Sequence, residues 1–383
     1  MYLDHHFESL FTEDEAAVLT QIARFAAEVL APRAAELDEN ARFATCHLPA
    51  MAELGLMGLN LPEDLGGLGL SGPALYRAVE LIAGACGSTA SMLTAHYLAT
   101  DSLHLGAGVE LQQRLLPRAA AGALGAFALT EPQAGSNPAD MRSTARLKGD
   151  FYHLTGSKCF ISNAGAAEFI VVYAKTDPDA GARGVSAFVI EPGVTEGVQI
   201  APAERTMGLR GGHVFGLTLD CLVPVANRLG SEGSGFRTAM KVLDNGRIEV
   251  AAQATGIARA ALDAALAYAR ERQVGGQPIA GFQGLQWMLA DSANDLAAAR
   301  ALGLAAARLR GTGAHYSSES AHAKLFASEA AWRIADRALQ IHGGYGYCRD
   351  FPLERYLRDL RIFRIYEGSS EIQRNIIARA LLA

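Results

Sequence analysis

The sequence lacks the paired cysteines of a disulfide framework. Its five cysteines are odd in number and widely spaced, and no two of them form a CxxC pair: Cys46, Cys86, Cys159, Cys221 and Cys348. This pattern argues against disulfide bridges and against a zinc site, and it is typical of reduced thiols in a cytoplasm. We therefore expect a cytoplasmic protein without a bound metal.

The chain also lacks an excess of positive charge and a long apolar run. Its 34 basic and 40 acidic residues give a net charge of −6, which argues against a dedicated nucleic-acid binder. Residues 81–100 carry no formal charge, but Ser, Thr, Gly and His interrupt them too often for a membrane span. The N-terminal segment MYLDHHFESLFTEDE is acidic, so we expect neither a signal peptide nor a transit peptide.

Several common catalytic motifs are missing. No GxGxxG follows a predicted strand and no GxxxxGK[ST] is present, so neither of the usual phosphate-binding loops is available. The chain contains no GxSxG elbow and no HExxH either. These absences weigh against a hydrolase and against a metalloenzyme.

The hydrophobic pattern divides the chain into three parts. The length of 383 residues and an apolar content of 50% favour two or three domains with sizeable cores. Helical periodicity runs from residue 12 to about 124, beginning at a capping box formed by Thr12 and Glu15, and Pro32 is expected to bend this pattern. We place the domains at residues 1–124, 125–232 and 233–383.

The middle part is predicted to be a β domain between two helical ones. Its strand candidates are rich in β-branched and aromatic residues and cover residues 126–131, 145–162, 169–176, 184–190 and 216–223. No long helical pattern separates them, so we expect antiparallel strands in a small barrel or sandwich. Helices then return at residues 239–272, 282–309 and 317–340.

One carboxylate near the C-terminus lies where a catalytic base would be useful. Glu367 stands between Tyr366 and Gly368, directly before a predicted helix whose N-cap would be Ser369 or Ser370. A glycine beside it allows another group to approach closely. An isolated glutamate in this position would usually be a solvated turn residue, so the rest of the chain must decide.

Several motifs resemble those of the acyl-CoA dehydrogenases. Their order matches the family over essentially the whole chain: Pro62-Glu63-x-x-Gly66-Gly67-Leu68-Gly69, Thr130-Glu131-Pro132-Gln133-Ala134-Gly135-Ser136, Val223-Pro224, Gln340-Ile341-His342-Gly343-Gly344-Tyr345-Gly346, Arg358-Asp359 and Tyr366-Glu367-Gly368. The resemblance implies an α+β fold with an N-terminal all-α domain, a middle antiparallel β domain and a C-terminal four-helix bundle.

The resemblance also implies one FAD per subunit. The residues that match the family's flavin positions in the β domain are Phe127, Leu129, Thr130, Gly135, Ser136, Phe160, Ile161 and Ser162. Phe160 would stack behind the ring, although a core aromatic on a strand has the same pattern. Arg272, Gln283, Gln340, Gly343 and Gly344 match positions that reach the FAD of a neighbouring subunit, and Ser369 and Glu371 match positions near the adenosine. A homo-oligomer is therefore implied, at least a dimer and in most of the family a tetramer.

Simple structural interpretations stay open for some of these residues. Arg272 is also explained as a solvated helix end, and Gly343-Gly344 as a helix C-cap.

Two departures from the family's pattern concern contacts between subunits and FAD affinity: Gly275 stands where an aromatic is usual, and Gly212 and Val214 stand where many members have Ser and Thr.

The family's reaction is the α,β-dehydrogenation of an acyl-CoA, with electrons passed to an electron-transferring flavoprotein. Glu367 would remove the α-proton, and the proposed substrate contacts are Ser136, Asp244, Arg247, Tyr366 and Gly368. A local Asp244–Arg247 pair would look the same in the sequence. Gly246 occupies the position at which some relatives carry the base, and Glu249 is interpreted as structural.

The nearest relatives in pattern are the short-chain butyryl and isobutyryl enzymes, which favours a short or branched acyl group and a role in fatty acid or branched-chain amino acid catabolism. The alternatives are a flavin oxidase or monooxygenase on the same fold, and a helical assembly protein that has lost catalysis.

Overall fold

Helices form both ends of the chain and strands form its middle. The computed structural model describes residues 9–383. The expectation that the chain has no leader peptide depends partly on residues 1–8, which lie outside the described residues.

The N-terminal part consists of six α-helices: α1 (Glu13–Phe25), α2 (Ala34–Glu39), α3 (Leu48–Glu53), α4 (Gly72–Ala85), α5 (Gly87–Gly106) and α6 (Val109–Ala120). The predicted capping box is confirmed, because Glu15 N donates to Thr12 Oγ1 at 3.2 Å and Thr12 N to Glu15 Oε2 at 3.0 Å. Pro32 lies in a short 3₁₀ turn between α1 and α2, so the helical path continues past it as predicted.

The middle part is a single sheet of eight strands: β1 (Gly125–Ala128), β2 (Thr144–Lys148), β3 (Phe151–Ser162), β4 (Phe169–Lys175), β5 (Val185–Ile190), β6 (Val198–Ile200), β7 (Val214–Pro224) and β8 (Arg228–Leu229). The strand order is β6-β7-β3-β2-β4-β5-β8, and β1 pairs with β4. β3 and β7 form the longest antiparallel pair.

The prediction that all strands are antiparallel is wrong for β1. This strand runs parallel to β4, with Gly125 opposite Phe169 and Ala128 opposite Val172. β2 also meets β4 in parallel at Thr144 and Lys175. A parallel pair needs a long crossover but not a helical one, and the β2–β3 hairpin lies in the connection between β1 and β4. The absence of a long helical pattern between the strand candidates therefore did not exclude a parallel pair.

The C-terminal part contains five helices: α7 (Gly235–Glu271), α8 (Gln283–Ala307), α9 (Ser317–His342), α10 (Leu353–Leu360) and α11 (Ser370–Leu382). A small hairpin, β9 (Gln273–Val274) and β10 (Gln277–Pro278), joins α7 to α8. α10 was not predicted: its apolar residues Leu353, Tyr356, Leu357 and Leu360 follow helical spacing, but eight residues give only a short periodic signal.

The 37-residue helix α7 connects the three parts. It packs against α4, α5, α8 and α9, and its residues Ala239 and Leu243 pack with the β1 end of the sheet. Gly256 allows α4 to come close, since a Cβ at this position would overlap the backbone oxygen of Glu80. Within residues 9–383, no helix combines the length and the apolar character needed to cross a membrane.

Candidate active site

Glu367 lies in a strained turn between α10 and α11. Its φ of +51° is rare for a residue with a Cβ, and Gly368 follows with φ +90°. The turn is held from two sides: Gln373 Nε2 donates to the carbonyl oxygens of Glu367 and Gly368 at 3.2 and 2.8 Å, and Lys324 Nζ donates to Gly368 O at 2.7 Å. Gln373 and Lys324 are therefore part of the site, although the sequence analysis did not select them.

α11 begins at the predicted serines, but their side chains act differently from the prediction. Ser369 occupies the N-cap position, and no capping hydrogen bond from its side chain to the helix backbone is formed. Ser370 Oγ donates to Glu329 Oε1 at 2.8 Å. A hydrogen bond from the Ser369 side chain lowers the pKa of the exposed Glu371 carboxyl group.

The carboxylate of Glu367 points away from water. The residue as a whole is half-buried, but its Oε2 atom is fully buried and has no hydrogen-bond partner. Burial raises the pKa of Glu367 to about 7, against the opposing effects of Lys324 and Arg247. A carboxyl group with a pKa near neutrality and a free lone pair is suited to act as a general base.

A glycine on α7 provides the space for this carboxylate. A Cβ at Gly246 would overlap Glu367 Oε2 and come within 2.7 Å of Leu98 Cδ2. The Glu367 carboxylate therefore lies between α5 and α7, above a helical position that has no side chain. Because Gly246 has no side chain, the Glu367 carboxylate can occupy this space.

The predicted substrate contacts Asp244 and Arg247 form a local ion pair. Arg247 Nη1 donates to Asp244 Oδ1 at 2.5 Å, and Ser317 and Ser320 also donate to this carboxylate. Both members of the pair are buried, while Arg247 Nε is buried without a partner. The local pairing that the sequence left open is therefore present, and one donor of Arg247 remains free. Tyr366 likewise has a buried hydroxyl group without a partner.

A buried ion pair organises the loop after β1. Lys158 Nζ donates to Glu131 Oε1 at 2.8 Å and to Leu129 O at 3.1 Å. Glu131 also accepts from the backbone N–H groups of Arg142 and Ser143 at 2.6 and 3.1 Å. In the sequence, Glu131 stands out only as part of a motif, and Lys158 was not predicted to belong to the site. A lysine inside a strand candidate was the available signal, because a charge that becomes buried needs a partner.

The other predicted β-domain residues lie on β1, on its loop and at the end of β3. Phe127 packs on Tyr173 with ring centroids 5.1 Å apart, Leu129 is buried, and Gly135 and Ser136 are exposed. Phe160 has φ +58° within a bulge between β3 and β7, and its side chain is 66% exposed. Such an exposed ring on a strand is expected where another group covers it. Ile161 is buried and Ser162 half-buried.

A second group of predicted residues lies at the far end of α7. Arg272, Gly343 and Gly344 line a groove of about 500 Å³ together with Tyr268, His342 and Tyr345. The Arg272 guanidinium lies 5.8 Å from the centre of the Tyr345 ring, and Gly343 with φ +59° caps α9 as the simple structural interpretation predicted. Gln283 and Gln340 are exposed on α8 and α9.

This groove is remote from Glu367 within one chain. At 1.5 Å per helical residue, Arg272 lies about 40 Å along α7 from the Gly246 position beneath Glu367. The structure thus brings together Glu367, Tyr366, Gly368, Asp244 and Arg247, and it separates Arg272, Gly343 and Gly344 from them.

Comparison with known proteins assigns the whole chain to one family. Models of the N-terminal, middle and C-terminal domains of acyl-CoA dehydrogenases match residues 12–123, 126–221 and 233–382. The chain belongs to the acyl-CoA dehydrogenase family. It is an oxidoreductase of a flavin-dependent family, and two predictions from the sequence are confirmed: the family resemblance, and a β domain between two helical domains.

Three similar proteins are informative. Acryloyl-CoA reductase (NADH) of Anaerotignum propionicum is 44% identical over 96% of this chain and 94% of its own length. A chain in the solved structure of the electron transferring flavoprotein of Acidaminococcus fermentans is 42% identical with a TM-score of 0.95, covering 97% of this chain and 98% of its own. Butyryl-CoA dehydrogenase of Megasphaera elsdenii is 36% identical with a TM-score of 0.95, covering 97% of this chain and 99% of its own.

The residues of this chain fit a flavin. The exposed Phe160 ring offers a surface for stacking, and Ser162, two residues later, offers a half-buried hydroxyl group. Thr130 offers another, and it lies beside this strand because Cys159 N donates to Thr130 O at 3.0 Å. No atom lies within 4 Å of a Cβ built at Gly135, Gly343 or Gly344, so these backbone segments are open to a large ligand.

Proposed function

We propose that this enzyme dehydrogenates the Cα–Cβ bond of a short or branched acyl-CoA to the trans-2-enoyl-CoA, with FAD as cofactor and Glu367 as the base. The observation that carries the proposal is the Glu367 carboxylate. It is buried without a hydrogen-bond partner, its pKa is about 7, and it lies in a strained turn that Gln373 and Lys324 hold in place.

The residues that would hold FAD come from the β domain and from the C-terminal helices. Phe127, Leu129, Thr130, Gly135, Ser136, Phe160, Ile161 and Ser162 are the proposed contacts in the β domain, and Ser369 and Glu371 the proposed contacts near the adenosine. When bound, FAD supplies the acceptor for the hydride that leaves the β-carbon.

Glu367 would remove the proton from the α-carbon. The thioester makes this proton acidic only if the developing negative charge on its oxygen is stabilised, and the backbone N–H of Glu367 is a proposed donor to that oxygen. The carboxylate form predominates above pH 7, so activity should rise as the pH increases through this value. Asp244 and Arg247, Ser136, Tyr366 and Gly368 are the proposed contacts to the substrate.

A short acyl group is supported by the packing beside Glu367. Leu98 on α5 lies against the Gly246 position, so its side chain limits the space beside the Glu367 carboxylate. Two similar proteins act, by their names, on butyryl-CoA and acryloyl-CoA, which are thioesters of short acids. Protonation of the α-carbon by Glu367 would serve the reverse reaction, so the same site geometry suits a reductase.

An electron-transferring flavoprotein is the proposed electron acceptor. It is supported by the similarity to a chain in a solved structure of such a flavoprotein. The proposed assembly is a homo-oligomer, at least a dimer, in which Arg272, Gln283, Gln340, Gly343 and Gly344 reach the FAD of a neighbouring subunit. The 40 Å separation along α7 supports this, because these residues are far from Glu367 of their own chain.

The test is an anaerobic titration of the purified protein with straight, branched and cyclic acyl-CoAs, followed by flavin absorbance. We expect bleaching by a short or branched acyl-CoA. The Glu367→Gln variant should retain its flavin and its fold but not bleach, because it lacks the base and keeps the shape of the side chain.

The control is Glu110→Gln, which removes an exposed carboxylate on α6 that belongs to none of the proposed contacts, and this variant should still bleach. Full bleaching of the Glu367→Gln variant would show that Glu367 is not the base. Rapid oxygen consumption by the reduced enzyme would favour an oxidase or monooxygenase instead, and a colourless protein would favour a non-catalytic assembly.

A further inference from the structure

A second buried glutamate lies next to the proposed base. Glu249 on α7 is 2% exposed, and it accepts a hydrogen bond from Arg310 Nη1 at 2.8 Å. Arg310 also donates to both oxygens of Asp101 at 3.0 and 3.1 Å. Two tyrosines also lie near the charges of Asp101, Glu249 and Arg310: Tyr97 on α5 and Tyr316 in the loop before α9.

Glu249 and the Glu367 carboxylate lie on the same face of α7. Gly246 and Glu249 are three residues apart, which places them on one face of the helix with about 5–6 Å between their Cβ positions. The carboxylate of Glu367 lies directly above Gly246. Glu249 therefore lies about one helical turn from the position against which the Glu367 carboxylate rests, and the charge of Glu367 adds to the raised pKa of Glu249.

The charges buried around these two side chains do not balance. Four carboxyl groups, those of Asp101, Asp244, Glu249 and Glu367, face three cations, those of Arg247, Arg310 and Lys324. An uncompensated buried charge is costly, and the simplest way to remove it is to retain one proton on a carboxyl group.

The hydrogen bonds indicate which carboxyl groups share this proton. Asp101 accepts from Arg310, Asn60 and Asn245, and Asp244 accepts from Arg247 and two serines. In contrast, Oε2 of Glu249 and Oε2 of Glu367 are both buried without a donor. The proton therefore belongs to the Glu249–Glu367 pair.

We propose that Glu249 is a positioning residue for the base: it holds the one shared proton of the pair, so that Glu367 is ionised while Glu249 is neutral. This inference rests on the proposed function of Glu367. Under this proposal the buried charges around Glu249 influence the reaction, whereas an ion pair between Glu249 and Arg310 would be explained by stability alone.

The raised pKa values of the two glutamates agree with this assignment, in which Glu249 keeps its proton while Glu367 is ionised. Burial raises the pKa of Glu249 to about 8, Arg310 opposes the shift, and Asp101 and the Glu367 charge add to it. The pKa of Glu367 is about 7, with Lys324 and Arg247 opposing the effect of burial. Between these values Glu367 is charged and Glu249 neutral. At higher pH, ionised Glu249 adds a negative charge where the transition state already develops one, and the rate should fall.

The first test is the pH dependence of kcat/KM for the holoenzyme and for Glu249→Gln, which keeps the shape of the side chain. Wild-type activity should rise through pH 7 and fall above pH 8, by about tenfold over the next one to two pH units. Glu249→Gln should keep the rise near pH 7 and lose the fall. Retention of the alkaline fall in this variant would overturn the proposal and would direct attention to Lys324, whose pKa burial lowers to about 8.

The second test does not depend on activity. Infrared difference spectra of the holoenzyme between pH 6 and 9 should show buried carboxylic acid groups losing their protons in two steps. Glu249→Gln should remove the upper step, and Glu367→Gln should remove the lower one and move the upper one to lower pH. If Glu249→Gln leaves both steps in place, Glu249 does not hold the shared proton. If no thioester bleaches the enzyme, the proposed function fails, and the infrared result still decides whether the pair exists.

Discussion

At the scale of single residues, the position of the Glu367 carboxylate depends on a neighbour that contributes no side chain. Gly246 lies inside α7, where alanine would normally be favoured over glycine by about 1 kcal/mol. Its presence in the middle of a 37-residue helix is explained by the Glu367 carboxylate above it. The positive φ of Glu367 itself is tolerated because Lys324 and Gln373 bind the adjoining carbonyl groups.

Gly246→Ala tests this arrangement. The new methyl group would displace the carboxylate and crowd Leu98, so kcat should fall by about 10- to 100-fold, since catalysis is sensitive to displacements of about 1 Å. Stability should change by less than about 1 kcal/mol, because the gain in helix propensity offsets the crowding. Steady-state kinetics and thermal unfolding of the same preparations measure the two effects.

The matched control is Gly284→Ala. Gly284 lies on α8 with no neighbour within 4 Å of a Cβ at its position, so this substitution should slightly stabilise the protein and leave kcat unchanged. Equal kinetic effects of the two substitutions would show that Gly246 has no particular relation to Glu367.

At the scale of elements, a buried ion pair connects β1 to β3. Lys158 and Glu131 are both nearly inaccessible to solvent, and Glu131 also binds two backbone N–H groups at the end of the following loop. Burial lowers the pKa of Lys158 while Glu131 opposes the shift. The pair therefore determines the conformation of the Thr130–Ser136 loop, which contains proposed FAD contacts.

Replacing Lys158 by methionine should weaken the domain and its cofactor site together. Removal of one partner leaves the Glu131 carboxylate buried with less compensation, at a cost of about 3–5 kcal/mol. We expect a lower Tm and loss of flavin during gel filtration. Lys148→Met is the control, because Lys148 is an exposed lysine on the adjoining strand β2. A Lys158→Met protein that retains its flavin and its Tm would show that the pair does not organise the loop.

At the scale of the whole molecule, two groups of proposed FAD contacts lie at opposite ends of α7. Ser369 and Glu371 adjoin Glu367, whereas Arg272, Gly343 and Gly344 line a groove about 40 Å along the helix from the Gly246 position. Exposed aromatic and apolar side chains surround this groove, including Tyr345, Tyr347 and Val274. A site composed of both groups requires a second chain.

Complementation between two inactive variants tests this assembly. Arg272→Glu and Glu367→Gln should each abolish activity when expressed alone. When both chains are expressed together and assemble at random, about a quarter of the sites should combine an intact Glu367 with an intact Arg272 from another chain. Recovery of a corresponding fraction of activity is the expected result.

The control for complementation is Arg272→Glu expressed with the double variant Arg272→Glu/Glu367→Gln. No chain in this mixture has an intact Arg272, so no activity should return. If the first mixture also stays inactive although mass spectrometry shows mixed oligomers, Arg272 does not contribute to a neighbour's site.

The linear sequence determined the α–β–α order, the approximate bounds of the three long C-terminal helices and the identity of the family. These features depend on local periodicity, on caps such as Thr12 with Glu15, and on contiguous motifs such as Tyr366-Glu367-Gly368. All of them are encoded by residues close together in the chain, so they can be recognised without knowing the fold.

Tertiary structure alone decided which distant residues meet. The parallel pairing of β1 with β4, the Lys158–Glu131 pair and the placement of the Glu367 carboxylate against Gly246 each join segments that are far apart in the sequence. The pKa of a buried carboxyl group depends on all the charges that packing brings around it, from whichever helix they come. Sequence spacing carries no record of that packing, so the role that we propose for Glu249 beside Glu367 can be argued only from the assembled helices.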